Sequence, residues 1–314
     1  MAIMIEFKGL TQAHFDTYAP EKWSSMVHNL ARMKNKDVVA SLCTTAGKEL
    51  ATELTGLLQT NSDEIPNITN QKKVDSQWVY WFRDQEERKN LKSFLEKTLL
   101  TQKDIFNIAP QDKHITLAVI LRHADIWIGV RIPAGATVDR RNLMAKLDKS
   151  WEREKFLELL QELPEGAHLG FGDELTPTGS WDLPGLALHG EAGRATEETW
   201  TLGISVPRED ALSLGVDLAD LVHRWSGALV PFYRFAAWNR DNDFIDVNKK
   251  IQAEKSQKRH QAKSFAEGDK VRVTAGLFSG QVGFIEEIDT KGKTKVRVGK
   301  MSVQIPGEDL IPLK

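Results

Sequence analysis

The last stretch of the chain, residues 265–313, constrains the fold more than any other. Val271 and Val273 alternate with Lys270 and Arg272, the period of a strand with one buried face. Residues 276–280, Gly-Leu-Phe-Ser-Gly, form a turn with a glycine at each end free to take positive φ. A second strand is predicted at 284–288 and a third at 295–298, with a hairpin turn over 289–293 between them. Residues 301–305 and 309–312 complete a pattern of short strands that curls into a small barrel.

Three segments in this stretch fall in a characteristic order: Gly268-Asp269-x-Val271-Arg272-Val273, Gly276-x-Phe278-x-Gly280 and Gly283-x-Ile285-x-x-Ile288-Asp289. Together they resemble the KOW module of NusG-type transcription factors and of several ribosomal proteins, with Gly283 where that family keeps its most characteristic glycine. The resemblance implies an SH3-like barrel that binds RNA or a protein of the transcription or translation machinery, and it implies no catalysis. The contact residues expected on the barrel are Lys270, Arg272, Phe278, Lys293, Lys295 and Arg297. Phe278, at a turn tip, is either an exposed anchor or a plug in the barrel core, and the family pattern favours the anchor.

The net charge of −2 hides an asymmetry. Residues 249–314 hold 14 Lys/Arg against 8 Asp/Glu, a balance of +6; the whole chain holds 42 against 44, so residues 1–248 carry 28 against 36, a balance of −8. An acidic body with a basic tail suits a tail that meets an anionic partner. Lys249, Lys250, Lys258 and Arg259, in a connector with no glycine or proline, would add salt-dependent attraction to phosphate. At 314 residues the chain has room for two or three domains. One cysteine, Cys43, allows no internal disulfide and fits a reducing cytoplasm. No apolar run approaches the ~20 residues of a membrane span, so no membrane partner is expected.

Residues 1–244 read as an α+β body. A helix is predicted after Pro20, with Trp23, Met26, Val27, Leu30 and Met33 on its inward stripe. A second helix covers 37–58, with Gly47 bending or dividing it, and residues 60–76 form a loop. A strand at 77–83 leads into a helix at 86–100, closing a helical N-terminal part over 1–110. Residues 114–121 and 125–132 form a hairpin, and 139–163 a long helix with Trp151 facing inward. Strands are predicted at 168–171, 185–188 and 199–206, then a helix over 209–238 interrupted near Gly215 and Pro231.

Residues 127–133, Trp-Ile-Gly-Val-Arg-Ile-Pro, echo residues 200–207, Trp-Thr-Leu-Gly-Ile-Ser-Val-Pro. The echo predicts an internal strand–strand–helix repeat sharing one antiparallel sheet covered by helices. Between the two units, 172–185 is a Gly/Pro-rich loop holding Asp173, Glu174, Trp181 and Asp182, with Trp181 folded back on the body. The expected domains are therefore the body at 1–244, a basic linker at 245–264 and the all-β SH3-like (KOW) barrel at 265–314.

Catalytic and cofactor motifs are absent from the sequence. His114-Ile-Thr-Leu117 is one half of a two-histidine phosphoesterase motif, but no other histidine is followed two residues on by Ser or Thr. There is no phosphate-cradling loop, no dinucleotide fingerprint and no metal-ligand spacing. Trp78, Trp81, Trp127, Trp200, Trp225 and Trp238 are assigned to the core. Two functional readings stand. The first is a non-enzymatic cytoplasmic adaptor docked by its barrel onto RNA, the ribosome or RNA polymerase. The alternative is an enzyme of unknown chemistry in the body, targeted by the barrel to nucleic acid or a ribonucleoprotein, which would need Asp173, Glu174, His114 and His168 to converge in one pocket.

Overall fold

The computed structural model describes residues 6–48, 50, 52–68, 70–89, 91, 110–246, 265–288 and 293–313. The chain divides into two compact units, Met1–Ile245 and Asp246–Lys314.

The first unit opens with α1 (Gln12–Asp16), two 3-10 turns and α2 (Asn29–Gly47). Strands β1 (Leu57–Asn61) and β2 (Ser76–Arg83) follow, then β3 (Thr116–Arg122) and β4 (Asp125–Ile132). Helices α3 (Thr137–Leu147) and α4 (Ser150–Glu162) lead to the hairpin β5 (His168–Phe171) and β6 (Glu174–Pro177). Helix α5 (Leu183–Ala195), β7 (Trp200–Pro207), α6 (Arg208–Leu214) and α7 (Leu218–Ala236) complete it. The strands form one seven-stranded sheet, β1-β2-β3-β4-β7-β5-β6, in which every pairing is antiparallel.

The predicted hairpin of two apolar strands is β3–β4. β3 is buried on both faces as far as Leu121, because its Val, Ile and Leu side chains suit a doubly covered strand. The two echoing phrases are direct neighbours: β4 and β7 pair from Asp125↔Pro207 to Ile132↔Trp200, with Gly129 opposite Gly203. Alternate residues of β2, β3, β4 and β7 (Val79, Val119, Ile128, Leu202) enter the main core beneath the helices. Helix α7 puts Leu218, Val222, Trp225, Leu229, Phe232 and Ala236 into that core at helical spacing. Gly215, at φ 56°, separates it from α6, while Pro231 lies inside α7 without ending it.

Several expectations are overturned. The inward stripe of the first predicted helix faces solvent: Met26, Val27, Leu30 and Met33 are exposed, Val27 at 87%. α2 runs from Asn29 to Gly47 instead of starting at 37, and its buried side includes Arg32 and Asn35. Leu57 and Leu58 belong to β1, not to a helix. The long helix at 139–163 is two helices, broken between Leu147 and Ser150, and Trp151 is 54% exposed. The loop at 172–185 contains β6, and residues 185–188, read as a strand, lie in α5. Asp182 caps that helix, its Oδ1 accepting from Gly185 N at 2.7 Å. The helix α5 intervenes between β6 and β7, so β7 does not close a hairpin with the strand before it as β4 does with β3, and the echoing phrases do not mark equivalent positions of a repeat. Trp181 does fold back, edge-on to His189 at 4.9 Å. Most of the predicted 86–100 helix lies outside the described residues.

The second unit is all-β. Strands β8 (Lys270–Val273), β9 (Val282–Ile288), β10 (Lys293–Val298), β11 (Met301–Pro306) and β12 (Leu310–Pro312) form one antiparallel sheet in the order β11-β10-β9-β8-β12. Its core contains Phe265, Val271, Val273, Ile285, Val296, Val298, Ile305 and Leu310.

Candidate partner-binding face of the C-terminal unit

Alternation in β8 and β10 turns valines inward and cations outward. Lys270 and Arg272 are exposed beside buried Val271 and Val273, and Lys295 and Arg297 beside buried Val296 and Val298. The same alternation in β9 buries Gly283 and Ile285 and leaves Phe284 45% exposed. Phe284 stands opposite Lys270 on one side and Arg297 on the other. Arg272 pairs with Val282 on β9 and Ile311 on β12, both exposed. The outer face therefore presents one aromatic ring flanked by cations, with aliphatic side chains beside it. Arg297 is tethered by Glu286, Nε to Oε1 at 3.6 Å, and Glu286 also accepts from Ser302 Oγ at 2.6 Å.

Of the sequence-predicted contact residues, Lys270, Arg272, Lys295 and Arg297 share this outer face. Lys293 begins β10, and its side chain lies outside the described set. The linker cations Lys249, Lys250, Lys258 and Arg259 also lie outside the described residues. Phe278 is half-buried and packs against the core of the unit, which places it with the plug and not with the anchor; its neighbour Leu277 is the exposed residue, at 98%. Phe284 was not singled out from the sequence. The signal was present, because Gly283 and Ile285 inside require residue 284 outside.

The turn glycines behave as expected, with Gly276 at φ 80° and Gly280 at φ 84°. Gly283 is required by close approach: a Cβ there would lie 2.7 Å from Arg297 O and 2.7 Å from Val296 Cγ1. Gly283→Val should cost about 1–3 kcal/mol by overpacking and unfold this small unit. The check is NMR of the full chain, with loss of dispersed resonances from Asp246–Lys314 and none from Met1–Ile245.

In the first unit the four residues that an enzyme would need do not converge. His168 and Asp173 line one groove, whereas His114 is buried beside Phe82 at 5.9 Å between ring centres, and Glu174 is exposed. Cys43 is buried, which pushes its thiol well above the usual range and makes it a poor nucleophile. Among the described residues no cluster of His, Cys, Asp or Glu is arranged to hold a metal ion, and no helix is long and apolar enough to cross a membrane. No protein-family model matches the chain, and no curated protein sequence matches it.

Proposed function

We propose that the C-terminal unit is a KOW-type SH3-like barrel and that the chain is a non-enzymatic cytoplasmic adaptor, docked by this unit onto RNA of the transcription or translation machinery. The observation that carries the reading is Phe284, exposed and in register between Lys270 and Arg297. An exposed ring offers a stacking platform to a base, and flanking cations attract the phosphates on either side. The +6 balance of residues 249–314 supports the same partner.

The full chain should bind a short single-stranded RNA with an affinity that falls steeply as salt rises. Phe284→Ala should weaken that binding by about 1–3 kcal/mol and leave the melting temperature unchanged. Phe278→Ala should do the reverse, lowering the melting temperature with little direct effect on RNA. Titration of both variants against one fluorescent RNA, alongside thermal melts, separates the two roles. An RNA affinity near zero even at low salt would leave a protein as the partner of this face.

A further inference from the structure

The face of the seven-stranded sheet opposite the helices holds a groove of about 510 Å³. We propose that this groove binds a neutral oligosaccharide, with Trp127 and Trp78 as its stacking platforms. Trp78, Ile120 and Trp127 stand in one row across β2, β3 and β4, and Ser205 continues the row onto β7. Two strand spacings separate the indole-bearing strands, about 10 Å.

The next row is cut away, since Ala118, Gly129 and Gly203 are direct neighbours. A Cβ on Gly129 would fall 2.3 Å from Trp127 Cζ2, and one on Gly203 would fall 2.9 Å from the same atom. The indole thus lies along the glycine backbone instead of standing off the sheet. Trp78 is fixed too: its Nε1 donates to Ser76 Oγ at 2.8 Å, and the Arg131 guanidinium lies 4.6 Å from the ring centre. Both platforms are ordered before any ligand arrives, which lowers the entropy cost of binding.

Electrostatics select among ligands that stack. Arg122 donates from Nε and Nη2 to the Asp125 carboxylate at 2.7 and 2.6 Å, and Arg131 Nη1 pairs with Asp112 at 3.3 Å. The other charged side chains lining the groove are the carboxylates of Asp75 and Asp173. Among the described residues no uncompensated cation lines the groove, and residues 1–248 sum to −8, which disfavours a phosphate chain.

The remaining wall mixes hydroxyls with acceptors. Thr199 and Thr201 supply hydroxyls, while the Ser205 hydroxyl donates to Asp125 and can only accept from a ligand. His168 donates Nδ1–H to the Gly166 carbonyl at 3.0 Å, which leaves its Nε2 for a ligand. A lining that both donates and accepts is matched by ligand groups that do both, which is the chemistry of hydroxyls. Apolar ring faces edged by hydroxyls describe a sugar, and the volume lies within the range of small-ligand sites.

The test is calorimetry and tryptophan fluorescence of the full chain against maltotetraose, cellotetraose, xylotetraose, mannotetraose and an N-acetylglucosamine tetramer. At least one should bind and shift the emission. Trp127→Ala should weaken that binding about thirtyfold, and Thr201→Val, which keeps the volume and removes the hydroxyl, about fivefold. Phe284→Ala should leave it unchanged, which keeps this result independent of RNA binding by the other unit. The proposal is overturned if none of these glycans binds, or if binding survives both Trp127→Ala and Thr201→Val. Trp127-dependent binding of a short single-stranded RNA or a lysine-rich peptide in place of the glycans would equally overturn it.

Discussion

Asp139→Ala is expected to cost the Met1–Ile245 unit about 3–5 kcal/mol, the scale for breaking a buried ion pair by removing one partner. Asp139, in the first turn of α3, is fully buried and gathers three other parts of the chain. Its Oδ1 takes the Arg83 guanidinium at the end of β2 and accepts from Trp238 N at 2.9 Å, just beyond α7. Its Oδ2 accepts from Ile115 N, ahead of β3, at 3.0 Å. Burial is the strongest single influence on Arg83 and would lower its pKa, but the Asp139 carboxylate, Tyr233 and Glu87 together outweigh it and hold the guanidinium above its usual range. Without the Asp139 carboxylate a buried cation and two buried amides lose their acceptor together.

Urea unfolding of the variant measures the cost, and a loss under about 1 kcal/mol would contradict the buried-pair account. The double variant Arg83→Met, Asp139→Leu removes both charges at once and should recover much of the stability. Set against a total of about 5–15 kcal/mol for a natural domain, the single change threatens the fold of the whole unit.

This node was not legible in the sequence, where Asp139 reads only as an acid at a helix start. Its partners come from Arg83, Ile115 and Trp238, and only the fold brings them together. What could be read were elements whose residues settle their own environment, such as β3–β4 and the alternating strands of the C-terminal unit. α2 went wrong for a specific reason. Arg32 is buried because its guanidinium donates to the carbonyls of Lys22, Trp23 and Ser25 at 2.6–3.1 Å, satisfying the ends of the preceding turns. Burying that arginine rotates the apolar stripe of Met26, Val27, Leu30 and Met33 into solvent.

The groove was hidden by a related ambiguity. Trp78, Trp81, Trp127, Trp200, Trp225 and Trp238 all read as core in the sequence, and Trp81, Trp200, Trp225 and Trp238 are buried, yet Trp78 and Trp127 are only half-buried on the open face. Alternation separates the two faces of a strand without showing which of them the helices cover.

Acidification should unfold the same unit in steps set by two histidines. Burial pushes the His189 pKa down to about 4. Burial, then the charges of Arg83, Arg88 and Lys113, push His114 down to about 3. Both rings are neutral in the fold, whereas the unfolded chain takes up a proton on each near its ordinary value of 6.5. Below pH 6.5 the unfolded state therefore binds more protons, and stability falls as pH falls. The contribution is complete above pH 6.5 and is lost progressively down to about 4 for His189 and about 3 for His114. At about 1.4 kcal/mol per pH unit, each ring accounts for a loss on the order of 3–5 kcal/mol.

The geometry at His189 agrees, because its Nε2 accepts from Trp200 Nε1 at 2.8 Å and cannot do so once protonated. The ring also stacks on Phe171 at 4.4 Å and meets the edge of Trp181, surroundings that offer a cation little solvation. His189→Gln keeps an acceptor for Trp200 and removes the titration. Urea midpoints measured from about pH 7 down to about pH 4 should fall less steeply in His189→Gln than in the parent chain. Parallel profiles for the two proteins would show that this ring does not couple folding to pH.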